Sequence, residues 1–178
     1  MDSHGQEIIL GIDPGFRKTG FGIIRCHNDD IRYVSSGFID SGQGSDSDRL
    51  KEIYTGLEEV IKQYRPDSAG IEKIFFFVNP KSALKLGQAR GVALLATSMH
   101  NVEVCAYSAK QIKQAVAGYG AAEKGQMNQM IKSLLKLQGN LQSDAADALG
   151  IALCHYYSRR FANKLGITTK TVHGRLRT

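Results

Sequence analysis

The sequence predicts a single α/β domain in which a mixed five-stranded sheet carries helices on both faces. Three observations lead there. From Glu7 to Ile39, apolar and polar residues alternate with the period of a strand. From Leu50 onward, apolar residues recur at the i, i+3, i+4, i+7 spacing of amphipathic helices. Two short apolar runs lie between those helices, so an antiparallel meander is followed by strand–helix–strand crossovers. A chain of 178 residues suits one domain and can bury a core without disulfides.

Each element has its own signal. Glu7 to Asp13 is the first strand, with Ile8, Leu10 and Ile12 on one face and Ile9, Gly11 and Asp13 on the other. Pro14-Gly15 turns the chain. Thr19 to Cys26 and Ile31 to Ile39 follow as strands, divided by Asn28-Asp29-Asp30. Ser41 to Asp48 is a loop ending in N-cap residues, and Leu50, Ile53, Tyr54, Leu57, Ile61 and Tyr64 mark the helix that Pro66 ends. Ser68 to Phe77 reads as a buried strand. Ser82 to Met99 is helical through Leu84, Leu86, Ala89, Val92, Leu95 and Ala96. Val102 to Tyr107 is the fifth strand, and Ser108 caps a helix carrying Ile112 and Val116, broken at Gly118-Tyr119-Gly120. Met127, Met130, Ile131, Leu134 and Leu135 form another helical face. Ser143 is expected to cap a last helix through Ala148, Leu149, Ala152 and His155. Periodicity fades after Arg160. The expected organisation is therefore an N-terminal extension (1–7), the domain (8–160) and a flexible basic tail (161–178).

Composition narrows the function classes. Hydrophobic content of 42% and charged content of 22% are ordinary for a globular chain and exclude collagen-like or wholly disordered readings. No apolar run approaches the roughly 18 residues of a membrane span. The opening Met-Asp-Ser-His-Gly-Gln-Glu has no basic n-region or apolar h-region. A cytoplasmic protein with no membrane partner is expected. Lys and Arg number 23 against 17 Asp and Glu, a net charge of +6 that favours a polyanionic partner without identifying one. Cys26, Cys105 and Cys154 are odd in number and far apart, so they are read as reduced structural thiols. The five histidines show no ligand spacing.

Four carboxylates sit where chemistry could use them. Asp13 ends the first strand and Glu72 lies on the fourth; each shares a face with a glycine two positions earlier, Gly11 and Gly70. Such a glycine leaves room for an ion or for close backbone approach. Asp144 and Asp147 are three apart at a helix start, hence on one face. A crossover would make the first and fourth strands neighbours, with Asp13 beside Glu72. Like charges in that position resist ionising, and hard divalent cations such as Mg²⁺ resolve the conflict. Two such ions suit in-line phosphoryl displacement. Taken singly, each acid also reads as a cap or a solvated charge. Glu72, inside an apolar strand, needs a partner, because a buried carboxylate is costly.

Taken together, the motifs resemble those of the RuvC family of bacterial Holliday junction resolvases. The residues are Gly11-Ile12-Asp13-Pro14-Gly15, Thr19-Gly20-Phe21-Gly22, Ile71-Glu72-Lys73-Ile74-Phe75, the stretch from Asn79 to Gly91, Ala122-Glu123-Lys124 and Asp144-Ala145-Ala146-Asp147-Ala148-Leu149. The resemblance runs from about Ile8 to Tyr156. It implies an RNase H-like fold and a homodimer that nicks two like-polarity strands of four-way junction DNA symmetrically, in recombination and repair. It implies two Mg²⁺ per subunit, with Mn²⁺ able to substitute, and RuvA and RuvB as branch-migration partners. The four catalytic acids match Asp13, Glu72, Asp144 and Asp147.

The resemblance also marks residues facing DNA. Phe75 matches an aromatic that wedges at the junction centre; packing in the core is the alternative. Lys113 and Lys124 match lysines near the scissile phosphate, with Lys124 placed among the catalytic residues. Lys81, Lys85 and Arg90 are further phosphate-contact candidates, and each reads equally as a solvated charge. Gly87 and Gly91 allow close approach to their helix, through sheet packing or through the implied dimer interface. Two competing functions are an RNA-acting nuclease of the YqgF type and a junction-binding scaffold without chemistry. The presence of all four acids argues against the scaffold.

Overall fold

The computed structural model describes residues 6–74 and 79–166. Phe75 and the basic tail from residue 167 onward lie outside the described residues. The central strand is β1 (Glu7–Asp13). The sheet order is β3-β2-β1-β4-β5. β2 (Lys18–His27) and β3 (Asp30–Asp40) form the antiparallel meander with β1, whereas β4 (Ser68–Glu72) and β5 (Glu103–Tyr107) extend the sheet in parallel. This is the expected mixed five-stranded α/β architecture.

Alternation along β1 decides sidedness. Leu10 and Ile12 bury with Ile23 and Ile71 against α1 (Asp46–Tyr64) and α2 (Pro80–Met99). Ile9 and Ile24 bury on the other face against α3 (Ala109–Ala117), α4 (Lys124–Leu135) and α5 (Ser143–Lys164). Fully removing such aliphatic side chains from water stabilises the fold by about 1.5–3 kcal/mol each.

A strip of glycines seats α5. Gly22, Gly11 and Gly70 stand side by side across β2, β1 and β4. A β-carbon on Gly22 would lie 2.7 Å from the Leu149 amide nitrogen, and one on Gly20 would lie 2.3 Å from the Asp144 carbonyl oxygen. Ala148 and Ala152 of α5, which face Gly11, are small and buried. Gly11 and Gly70 thus serve close helix approach, the second of the two uses expected of them.

Reciprocal caps open both α1 and α3, but α1 starts at Asp46, inside the stretch from Ser41 to Asp48 expected as loop, because Ser45 is its cap. The Ser45 hydroxyl accepts from the Asp48 amide at 3.2 Å while the Asp48 carboxylate accepts from the Ser45 amide at 3.0 Å. Arg65 takes the left-handed conformation (φ 47°) ahead of Pro66. Ser108 and Gln111 repeat the reciprocal cap on α3, which Gly118 closes at φ 84°.

Other boundary and burial expectations need correction. β4 ends at Glu72, earlier than expected: its partner β5 ends at Tyr107, where Ser108 begins capping α3, and Lys73 N–H to Tyr107 C=O (2.8 Å) closes the ladder. The Phe75 to Phe77 part of that expectation lies outside the described residues. α2 begins at Pro80, ahead of Ser82, because the Asn79 side chain accepts from the Lys81 amide at 2.9 Å. Gln142, not Ser143, is the N-cap of α5, and that helix runs to Lys164, past the expected boundary at Arg160. Glu7, which the domain bounds put in the extension, belongs to β1, as the strand reading from Glu7 to Asp13 has it, and accepts from Arg159 at 2.6 Å and Ser68 at 3.0 Å. On α2, Ala89, Ala93 and Ala96 are buried while Leu84 and Leu95 are 71% and 53% exposed. Small residues let α1 pack closely there, leaving the leucines on the opposite side. The thiols of Cys26, Cys105 and Cys154 are free, as expected.

Candidate active site

Four elements deliver carboxylates and a lysine to one end of the sheet. Asp13 is the last residue of β1, and Glu72 the last of the adjacent parallel β4. Their faces follow those of Gly11 and Gly70, toward α5. Asp144 lies in the first turn of α5 and Asp147 one turn further on. Lys124 opens α4, and its Nζ donates to Asp147 Oδ2 at 3.1 Å. A cleft of about 270 Å³ is lined by Glu72, Lys113, Lys124 and Asp147, floored by Ile112, Met127, Ile131 and Ile151.

Electrostatics sets this cluster apart from a surface patch. Burial, reinforced by Glu72, Asp147 and Asp144 in that order, pushes the Asp13 carboxyl from 3.8 up to about 7, while Lys124 acts against the rise. Glu72 is also raised, first by burial and then by Asp147. Negative charge is therefore concentrated where water screens it only in part, the condition that a bound cation relieves.

The donor chemistry fits a hard divalent cation: carboxylate oxygens, with neither Cys nor His among them. Among the described residues, no three His, Cys, Asp or Glu side chains converge into a ready-made metal cage.

The structure therefore gathers Asp13, Glu72, Asp144, Asp147, Lys124 and Lys113 into one locality. It places the remaining basic candidates differently. Arg90 is half-buried and its Nε donates to the Glu72 carbonyl at 3.2 Å, so it braces the end of β4. Lys81 is exposed at the start of α2. Lys85 reaches Asp46 Oδ1 at 3.2 Å and lies 4.8 Å from the Phe16 ring centroid. Phe75 lies outside the described residues.

Three further residues carried no motif in the sequence. Arg17 and Arg49 join Lys85 around one notch. His155 is 1% exposed and spans the core between Tyr107 Oη (2.8 Å) and Ser68 Oγ (2.9 Å). Its position on the buried face of the last helix was the available signal, and that signal points to structure rather than to a ligand.

Comparison with known proteins agrees with this geometry. The family model described as crossover junction endodeoxyribonuclease RuvC matches residues 9–155. The curated RuvC of Colwellia psychrerythraea is 52% identical over 173 residues, covering 96% of this chain and 99% of the relative. That of Francisella philomiragia is 49% identical over 170 residues, covering 96% and 99%. Among solved structures, Thermus thermophilus RuvC superposes with a TM-score of 0.80 at 32% identity, covering 87% of this chain and 96% of that one. The same protein in complex with a Holliday junction substrate gives 0.83, covering 88% and 96%.

Proposed function

The chain belongs to the RuvC family of crossover junction endodeoxyribonucleases, and from that premise we propose how its residues resolve a four-way DNA junction. The activity is endonucleolytic cleavage of Holliday junctions in recombination and repair. The observation that carries the reading is the meeting of four carboxylates, from the ends of β1 and β4 and the start of α5, in one partly buried cluster. Metal-dependent phosphodiester hydrolysis is the chemistry this cluster suits.

Asp13, Glu72, Asp144 and Asp147 would hold Mg²⁺, two ions per subunit, with Mn²⁺ able to substitute. Bound there, the cations supply a lowered pKa for the attacking water and charge neutralisation at the phosphate oxygens. The chain's own part is electrostatic. The half-buried carboxylates concentrate negative charge, which selects for multivalent cations. Lys124, bonded to Asp147, and Lys113, in the same cleft, add fixed positive charge beside the reacting phosphate. The apolar floor of Ile112, Met127, Ile131 and Ile151 limits water access from below.

A homodimer formed through α2 accounts for its exposed apolar stripe. Leu84, Leu95 and Met99 are solvent-exposed on that helix, and β-carbons added at Gly87 or Gly91 would meet nothing within 4 Å. A two-fold pair of active sites suits a two-fold junction. RuvA and RuvB are the expected partners and the cytoplasm the expected compartment; among the described residues no helix is long and apolar enough to cross a membrane.

The test compares cleavage of a four-way junction, a matched duplex and a structured RNA, each with Mg²⁺. Paired nicks confined to the junction support the reading. Preferential RNA cleavage favours the YqgF-type alternative, and junction binding without cleavage favours a scaffold.

A further inference from the structure

We propose that Arg17, Arg49 and Lys85 form a seat for a DNA backbone phosphate outside the catalytic cluster, and that Asp46 occupies the seat's lysine when DNA is absent. This inference rests on the junction-resolving reading above. The three cations come from the β1–β2 turn, α1 and α2, and line one notch of about 510 Å³ with Phe16, Ser82 and Leu86. The notch adjoins the turn that leaves the carboxyl end of β1, the end that carries Asp13. A strand engaged at the acids therefore has backbone phosphates at this end of the sheet.

The seat is held in place by bonds that do not involve a ligand. Ser41, only 2% exposed, donates its hydroxyl to the Phe16 carbonyl at 2.8 Å, and its amide donates to the Arg17 carbonyl at 3.0 Å. The same hydroxyl accepts from Arg49 at 3.2 Å. One buried serine thus ties the turn that carries Arg17 to the guanidinium of Arg49. Lys85 is steadied over the Phe16 ring at 4.8 Å.

The charges do not balance. Among the described residues the Arg17 guanidinium makes no side-chain hydrogen bond or ion pair. Arg49 bonds to a neutral hydroxyl. Among the described residues, the carboxylate ion-paired with a member of the group is Asp46, which reaches Lys85 at 3.2 Å with more than half of its side chain exposed. An exposed pair of this kind is worth little, so a phosphate can displace it. Two arginine forks and a lysine match a phosphodiester, which accepts several charge-assisted hydrogen bonds at once.

The experiment measures affinity for a fluorescent four-way junction against salt concentration by anisotropy, in the Asp13→Asn background so that no DNA is cut. Arg17→Gln with Arg49→Gln should weaken binding severalfold and reduce the log–log salt slope by about 0.9, the share of one neutralised phosphate. Asp46→Asn should tighten binding, because the competing carboxylate is gone. Arg25→Gln, which removes one positive charge as Arg17→Gln alone does, from an exposed residue near the far end of β2, should leave the slope unaltered. An unchanged slope in the double variant, an equal loss with Arg25→Gln, or weaker binding by Asp46→Asn would each overturn the seat. Should the double variant melt early, Arg17→Gln alone carries the test, since its side chain holds nothing together. A parent that binds junction no better than duplex would refute the junction reading instead.

Discussion

A β-carbon on Gly11 would stand 2.0 Å from the carbonyl oxygen of Ala148. Strand β1 and helix α5 therefore meet backbone to backbone, with no room for any side chain between them. That contact sets how near Asp144 and Asp147, on α5, stand to Asp13, two residues along β1. Gly11→Ala must push the helix away, and overpacking of this kind costs about 1–3 kcal/mol or more. The expected result is a lower melting temperature and loss of cleavage together. Gly125→Ala, where an added β-carbon meets nothing within 4 Å, should not lower melting. Full cleavage by a stably folded Gly11→Ala protein would refute this account of how the acids are positioned.

Asp13→Asn should abolish nearly all cleavage while junction binding persists. The amide keeps the shape but is a much poorer ligand for Mg²⁺. It also removes a buried charge from among three like charges, so the metal-free variant should melt no lower than the parent. Glu72→Gln and Asp147→Asn should likewise lose turnover. Ca²⁺ in place of Mg²⁺ should support binding without turnover, because it takes more ligands in looser geometry. Retained cleavage by Asp13→Asn in Mg²⁺ would reject the carboxylate assignment.

A heterodimer with one Asp13→Asn subunit should nick a single strand and leave the junction unresolved. Gel analysis with the four strands labelled separately reads this directly. Complete resolution by the hybrid would argue against symmetric paired action.

Phe75 and the two lysines should separate by substrate. Phe75→Ala is expected to impair cleavage of an intact junction more than that of a nicked one, with a loss in the range of about 1–3 kcal/mol for one stacked base. Lys113→Ala and Lys124→Ala should slow cleavage of both substrates. A large fall in melting temperature with equal losses on both junctions would make Phe75 a core residue, whose truncation costs about 3–5 kcal/mol.

His155 makes stability depend on pH. Burial, helped by the Arg159 charge, depresses its imidazole from 6.5 to about 4. The folded state keeps the ring neutral between Tyr107 and Ser68, whereas the unfolded chain takes up a proton below about 6.5. Stability contributed by the neutral ring is thus complete above 6.5 and declines as pH falls toward 4. The decline is of order 3 kcal/mol at most. Denaturant titrations at pH 7.5 and 5 should show it, and His155→Phe should flatten this part of the profile while lowering stability at pH 7.5, because Tyr107 and Ser68 lose a buried partner. Identical pH profiles for the two proteins would contradict the assignment.

Much of this molecule was legible in the chain itself because strand sidedness is a local property. The period of two along Glu7–Asp13 places Asp13 on the face of Gly11 and opposite Leu10 and Ile12, and the structure keeps that division. The three-residue spacing of Asp144 and Asp147 places both on one side of α5 in the same way. The cap signal at Ser108 was equally local and located the start of α3, whereas α1 begins at Asp46, within the stretch that reads as loop.

What needed the tertiary structure were quantities that depend on partners distant in sequence. β4 stops at Glu72 because β5 has no residue left to pair, which its own apolar run toward Phe77 could not reveal. Which face of α2 is buried depends on α1, and there small alanines won over leucines because close packing needs little volume. The raised Asp13 carboxyl arises from burial beside Glu72, Asp147 and Asp144, groups on other elements. Arg17, Arg49 and Lys85 share no motif; three separate elements bring them to one notch. The sequence by itself determined which residues share a strand face. Only folding decided how closely charges stand and what shields them from water, because Coulomb energy and desolvation depend on distance and surroundings.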